Sequence, residues 1–390
     1  MSHAAHDFDR VIDRRRTDSN KWRKYGPDVL PLWVADMDFA SPEPVVRALR
    51  ERAAHGVFGY VYEEPRFFEV AAERIGRRYG WRVGPESVVM LPGVIAGINM
   101  AARIFTSPGD GILEQVPVYP PILRCPGNMG VTRDEAPIGR RADGRYEVDW
   151  DDFERAITPR TKAFLLCNPH NPTGRVYSRE ELTRMAEICL RRNLWIIADE
   201  IHCDLLFSGQ RHVPIASLGP EVERRTITLM SPSKTFNLAG LKCAIAVVPD
   251  AALREKFVAA KVDLVANPNV FGFAAALTAY RDGGPWLDAL MRYLEANRDF
   301  TVDYVRRHFP GVGMHPPEGT YLAWLDFRQA GIPGGDPFTF FLEKARVALN
   351  DGVTFGPGGQ GFARLNFGSP RAMLTEGLER MREAYRALGG

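Results

Sequence analysis

Ser231-Pro-Ser-Lys234-Thr-Phe-Asn-Leu-Ala-Gly240-Leu-Lys242 places two hydroxyls, a lysine amine, a glycine and a second cation within twelve residues. A phosphate-bearing aldehyde needs such a set: hydroxyl donors and charge for the phosphate, and a primary amine to form a Schiff base with the carbonyl carbon. The competing reading is a turn that enters a helix and carries solvated lysines. The segment alone leaves both readings open.

Asp199, in Ala198-Asp-Glu-Ile-His202, follows five mostly apolar residues. A buried carboxylate is costly unless it is paired with a charge or a strong donor. A protonated pyridine nitrogen is such a partner, and the pairing makes the ring a better electron sink. With the lysine downstream, this points to pyridoxal phosphate (PLP); a structural salt bridge or helix cap is the alternative. Asn171-Pro-Thr-Gly174 is a plain turn by composition, yet Asn171 could reach an edge ligand such as the PLP phenolate oxygen. His202, three residues after Asp199, could approach the same oxygen. Asp199, His202 and Asp204 resemble a metal cluster at first sight, but no further His or Cys ligand is suitably placed nearby, and no metal site is expected. Gly93-Val94-Ile95 opens a helix and can offer backbone N–H groups to a phosphate. Tyr119 could stack on an aromatic ring or serve as a core aromatic. Arg364, amid Phe362-Ala-Arg-Leu-Asn366, needs a carboxylate or phosphate held bidentately. Its partner is either a protein carboxylate or the α-carboxylate of a substrate.

These residues need elements to position them. From about Ser87 onward, short apolar runs alternate with helical patterns, as in a parallel sheet with crossover helices. Val88–Leu91 reads as a buried strand, followed by a glycine turn and a helix through Ile98 and Ile104. Gly111–Val116, 163–167, 194–198, Thr226–Met230 and 243–248 read as further strands. Ser178-Arg-Glu-Glu181 is a capping box, after which Leu182, Met185, Ala186 and Cys189 keep one apolar face. Ligands of open α/β sheets sit outside the carboxyl ends of the strands. Gly93, the 168–174 segment, Asp199 and Ser231 each follow such a strand, so they converge on one sheet edge. From about Pro285 a helical pattern covers 286–308, strands cover 321–327 and 362–367, and a closing helix starts from Pro370. The expected fold is α/β: a large domain over 46–284, with a mostly parallel sheet between helices, and a smaller α/β domain from 1–45 and 285–390. The first 45 residues, with Pro27, Pro31, Pro42 and Pro44, are expected to wrap over the smaller domain.

The 390 residues are enough for two domains; 45% hydrophobic and 25% charged residues suit a globular protein. With 50 basic against 48 acidic residues, nothing indicates nucleic-acid binding. Arg14-Arg-Arg16 and Arg306-Arg307 read as solvated faces. The five scattered cysteines, with no CxxC pair, suit free thiols in a reducing cytosol. The N-terminus lacks the apolar stretch of a signal peptide, and no run approaches the ~20 apolar residues of a membrane span. A cytoplasmic location is expected.

Taken together, Asn171-Pro-Thr-Gly, Asp199-x-x-His202, Ser231-x-Ser-Lys234 and Arg364 resemble the fold-type I PLP-dependent enzymes, the aspartate-aminotransferase superfamily. A nearer likeness is to the MalY/PatB group of cystathionine β-lyases. It is carried by Ala35-Asp-Met-Asp-Phe39, His55-Gly-Val-Phe-Gly-Tyr60, Asp199-Glu-Ile-His202, Ser233-Lys-Thr-Phe-Asn237, Gly284-Pro-Trp-Leu-Asp-Ala-Leu290 and Thr320-Tyr-Leu-Ala-Trp-Leu325, across about residues 8–387. The resemblance implies that Lys234 is the Schiff-base lysine, Asp199 the pyridinium partner, and Asn171 with His202 the ligands of the phenolate oxygen. Tyr119 would stack on the ring. Gly93, Val94, Ser231 and Ser233 would hold the phosphate, joined by Tyr60 from the second subunit of a homodimer. Arg364 would take the substrate carboxylate, and Ala35 and Asp36 would line the substrate entrance. Lys242 stands where aminotransferases usually carry a phosphate-binding arginine; it keeps the charge and loses the bidentate fork.

The implied reaction is carbon–sulfur β-elimination, with Lys234 as covalent anchor and then as general base, releasing a thiol, pyruvate and ammonia. An aminotransferase needs the same constellation and is the alternative, since the two reactions differ in where the proton goes next. A non-catalytic regulatory protein on the same scaffold is the third reading, though every expected catalytic position is filled.

Overall fold

Val88–Leu91, Gly111–Val116 and Thr226–Met230 are buried at every position, the pattern of strands covered on both faces of a sheet. In the computed structural model, which describes residues 6–388, they belong to one eight-stranded sheet. In chain order the strands are β1 Leu30–Pro31, β2 Val88–Leu91, β3 Gly111–Val116, β4 Thr132–Arg140, β5 Tyr146–Val148, β6 Thr161–Cys167, β7 Trp195–Asp199, β8 Thr226–Met230, β9 Ala244–Val247, β10 Leu322–Asp326, β11 Val347–Ala348, β12 Asn350–Asp351 and β13 Phe362–Asn366. The large sheet has the order β2-β9-β8-β7-β6-β3-β4-β5. Its pairings β8·β7, β7·β6, β6·β3 and β3·β4 are parallel; β2·β9, β9·β8 and β4·β5 are antiparallel. The sheet is therefore mostly parallel, as expected, with β9 reversed between β2 and β8.

Because β9 opposes both neighbours, β2 and β8 run the same way. The carboxyl ends of β2, β3, β6, β7 and β8 therefore share one edge. The helix Val94–Phe105 leaves that edge after β2 and packs closely on the sheet. At Gly97 a Cβ would meet methyl carbons of Leu229 and Leu91 at 2.6 and 2.7 Å, so glycine lets the helix approach. The helix Arg179–Arg191 starts at a full capping box: Glu181 N–H donates to Ser178 Oγ at 3.2 Å, and Ser178 N–H donates to Glu181 Oε2 at 2.8 Å.

The later chain builds the helix Gly284–His308, a three-stranded antiparallel sheet β10-β13-β12, and the closing helix Arg371–Arg386. The N-terminal segment joins this part through β1, which pairs in parallel with β11. Five strands lie beyond the sequence reading: β4 and β5 of the large sheet, and the two-residue β1, β11 and β12. The reading of Arg14 as solvated also needs correction, because it is ion-paired to Asp36 at 3.0 Å and Asp38 at 2.7 Å. Among the described residues, no helix is long and apolar enough to cross a membrane.

Candidate active site

Lys234 lies in the one-turn helix Pro232–Thr235 that follows β8. Ser231 caps the turn: its Oγ accepts Ser233 N–H at 3.0 Å and donates to the Cys243 carbonyl at 2.7 Å, while Pro232 takes the first helical position. Lys234 Nζ donates to the Ala35 carbonyl at 2.6 Å. Burial pulls its pKa down to about 8, assisted by the charges of Arg364 and Lys242 and opposed by Asp36 and Asp199.

Asp199 ends β7 and is buried. Its carboxylate accepts the Ile201 N–H at 3.2 Å, and no cation among the described residues pairs with it at ion-pair distance. Burial pushes its pKa up to about 7, against the Ile201 hydrogen bond and the charge of Lys234. His202 is buried too, and its Nδ1 has no partner. Burial, then the charges of Lys234 and Arg364, lowers its pKa to about 3. The ring is therefore neutral and can donate only one N–H.

Arg364 lies in the middle of β13, 3% exposed. Its Nη1 donates to Asn171 Oδ1 at 2.7 Å, and its Nη2 to the Trp33 carbonyl at 3.1 Å and to Asn350 Oδ1 at 2.5 Å. Its Nε is buried and unpartnered, and no described carboxylate lies at ion-pair distance. Burial accordingly pulls its pKa down to about 10.

Ala35, Gly93, Val94, Tyr119, Asn171, Asp199, His202, Ser231, Ser233, Lys234 and Lys242 line one cavity of about 400 Å³. Arg364 joins it through Asn171. Gly93 faces open space, with nothing within 4 Å of a built Cβ, and the helix N-terminus after it has no side-chain cap. Two residues named from the sequence stand apart. Asp36 turns to Arg14 and lies 3.6 Å from Lys21 Nζ, and it does not line the cavity. Tyr60 is fully exposed, and Val57, Phe58 and Tyr62 nearby in the chain are exposed too.

Sequence reasoning missed the strap that covers the site. Between Trp33 and Met37 every carbonyl is taken by a side chain. Trp33 is held by Arg364, Val34 and Asp36 by Asn366, Ala35 by Lys234 and by Tyr321 Oη at 2.9 Å, and Met37 by Asn237. The cluster Arg14, Lys21, Trp22 and Asp38 anchors its far end. Of these partners, Lys234 and Arg364 were singled out in the sequence and Asn237 and Tyr321 lie in the family-like runs, whereas Asn366, Lys21 and Trp22 carried no signal. A larger groove of about 980 Å³, lined by Phe68, Val258, Val262 and several charged residues, has no convergent amine, hydroxyl pair and buried carboxylate, so the chemistry belongs to the smaller cavity.

The donor set fits PLP. Lys234, Asp199 and Arg364 converge with no ion-pair partner among the described residues, and they lack an electrophile, a cation and an anion respectively. The open helix start after Gly93, with the Ser231 and Ser233 hydroxyls and Lys242, suits a phosphate.

The chain matches aminotransferase class I and II over residues 27–381. It belongs to that family. It is 40% identical over 385 residues to cystathionine beta-lyase PatB of Bacillus subtilis (strain 168), covering 97% of this chain and 99% of the relative. Among solved structures, OvoB is 43% identical with a TM-score of 0.92, covering 97% of this chain and 98% of its own. The PLP-bound C-S lyase from Staphylococcus hominis is 32% identical with a TM-score of 0.91, covering 97% and 99%. The fold is that of the fold-type I aminotransferase-like enzymes.

Proposed function

We propose that this chain is a PLP-dependent carbon–sulfur β-lyase that cleaves cystathionine or related cysteine S-conjugates to a thiol, pyruvate and ammonia. The observation that carries it is the convergence of Lys234, Asp199 and Arg364 without ion-pair partners, on a chain whose near relatives are named for carbon–sulfur cleavage. A fold alone would not license the reading; the site does.

Bound in the cavity, PLP supplies an aldehyde for the substrate amine and an electron sink for the pair left on Cα. Asp199 would meet the ring nitrogen and keep it positively charged. Asn171 and the neutral His202 would donate to the phenolate oxygen, Tyr119 would cover the ring, and Gly93, Val94, Ser231, Ser233 and Lys242 would hold the phosphate. Arg364, which has no ion-pair partner among the described residues, would take the α-carboxylate of the substrate. The Lys234 amine would take the Cα proton as general base. The Cβ–S bond then breaks with its electron pair on sulfur, and hydrolysis of the remaining enamine gives pyruvate and ammonia. The Ala35 carbonyl accepts from the Lys234 amine and holds it in place.

The oligomer is read as a homodimer, with Tyr60 contributed to the phosphate of the second subunit. Its full exposure, among other exposed apolar residues, supports this. Segments 1–45 and 285–390 are read as the smaller unit and 46–284 as the larger; the pairing of β1 with β11 supports the grouping. Five buried, unpaired cysteines support a cytoplasmic setting.

The test is a panel of cysteine S-conjugates given to purified holoenzyme, with pyruvate and free thiol measured with and without an added 2-oxo acid. Equal amounts of thiol and pyruvate, independent of the oxo acid, are expected. Amino transfer to the oxo acid without pyruvate would make the protein an aminotransferase.

A further inference from the structure

Asp204 lies two residues after His202, and the proposed reaction gives it no role. It does not line the 400 Å³ cavity, and it is 5% exposed. Two guanidinium groups occupy it: Arg74 Nη2 at 2.7 Å and Arg78 Nε at 2.6 Å. Two hydroxyls complete its shell, Tyr79 Oη at 2.7 Å and Thr235 Oγ1 at 3.1 Å. Burial alone would push this carboxyl up, but the charges of Arg74 and Arg78 prevail and hold it at about 2. It is an anion at any working pH.

The four partners divide in an informative way. Arg74, Arg78 and Tyr79 all come from the helix Pro65–Tyr79, so that helix clamps the carboxylate. Thr235 is the residue next to Lys234. Arg74 reaches the same turn again, with its guanidinium 5.4 Å from the centre of the buried Phe236 ring. On its other side, Asp204 is continuous with the site loop: Leu205 N–H donates to the His202 carbonyl at 2.9 Å, and Cys203 N–H to that of Glu200 at 3.0 Å. A void of about 10 Å³, lined by Arg74, Tyr79, Asp204 and Ser231 among others, gives this cluster and the capping serine of the Lys234 turn a common wall.

The turn that carries Lys234 is only four residues long. Helices shorter than ~12 residues do not hold themselves in water, so the direction of the lysine is set by what grips its neighbours. Thr235 is gripped by Asp204, Phe236 by Arg74, and Asn237 by the Met37 and Phe39 carbonyls at 2.8 Å.

We propose that Asp204 is a positioning residue for the reaction: clamped to the helix Pro65–Tyr79, it fixes the Lys234 turn through Thr235 and keeps it in register with the Asp199–His202 loop. The proposal rests on the reading of Lys234 as the cofactor anchor. Misplacing a reacting group by ~1 Å costs on the order of 10²-fold in rate, so a looser turn acts on turnover rather than on substrate capture.

Thr235→Val and Thr235→Ser in the holoenzyme test it. Valine matches the shape of threonine and removes only the hydroxyl, leaving Asp204 its three donors from the helix. Serine keeps the hydroxyl. Thr235→Val is expected to lower kcat for pyruvate release about tenfold with KM within about twofold, and to weaken the visible circular dichroism of the bound cofactor. Thr235→Ser retains both properties. A Thr235→Val protein with wild-type kcat and dichroism, and only a lower melting temperature, would overturn the proposal. The wild-type dichroic band reports cofactor binding by itself, so a failed anchor reading is seen separately from a failed Asp204 role.

Discussion

In water a lysine amine holds its proton to about pH 10.5, and burial with two nearby cations brings Lys234 down to about 8. Asp199 is pushed up to about 7 and Arg364 down to about 10, burial being the first cause each time. These are the shifts of charged groups removed from water without counter-ions, and a ligand bringing a pyridinium, a carboxylate and a carbonyl carbon answers all three. The Lys234 shift has a direct consequence. Only the neutral amine attacks an aldehyde, and its fraction grows as pH rises through the pKa. In protein stripped of cofactor, the rate of PLP capture should rise with pH, reach half its plateau near 8 and level off above about 9. Stopped-flow absorbance across pH 6 to 10.5 reads this. A rate still climbing tenfold per unit between 9 and 10 would mean an ordinary lysine.

Glu114 sits in the middle of β3, its side chain wholly buried and both oxygens without a partner. Burial pushes its pKa up to about 9. The sign follows from linkage: the unfolded chain releases this proton near 4.5, the folded chain near 9, so stability is full below the lower value and falls as pH rises between them. Glu114→Gln removes the loss. Its melting temperature should match the wild type near pH 5 and exceed it by on the order of 2 °C at pH 8.5; calorimetry at the two pH values checks it, and an unchanged difference would place a compensating partner beside the carboxyl. The same strand shows what the sequence could reveal. β2, β3 and β8 are legible to the residue because burial on both faces leaves an uninterrupted run. β4 is not, since Thr132, Arg133, Pro137 and Arg140 face solvent and only Ala136 and Ile138 are buried. Asn171, Asp199 and Ser231 could be placed on one sheet edge because each ends or follows a strand. The strap was not, because its key contact joins Ala35 to a residue 199 positions away. The ion pair of Asp36 with Arg14 was likewise not legible, the two residues being 22 positions apart.

At the scale of the whole molecule, the dimer reading makes each site depend on two chains. Tyr60 and Lys234 would then belong to different subunits of one site. Coexpressed Lys234→Ala and Tyr60→Ala chains should form hybrids in which one site has both wild-type residues. Activity in the purified hybrid, well above that of either parent homodimer, is expected; no recovery would return Tyr60 to its own subunit or to the surface. On the proposed reading the chemistry is a property of the assembled site, with Lys234 at its centre. Pyruvate release from cystathionine by Lys234→Ala holoenzyme, set beside the wild type, tests this most directly. The wild type should give one pyruvate per thiol and the variant no pyruvate above background, whereas a variant that still releases pyruvate at a rate near wild type would contradict the role assigned to the lysine.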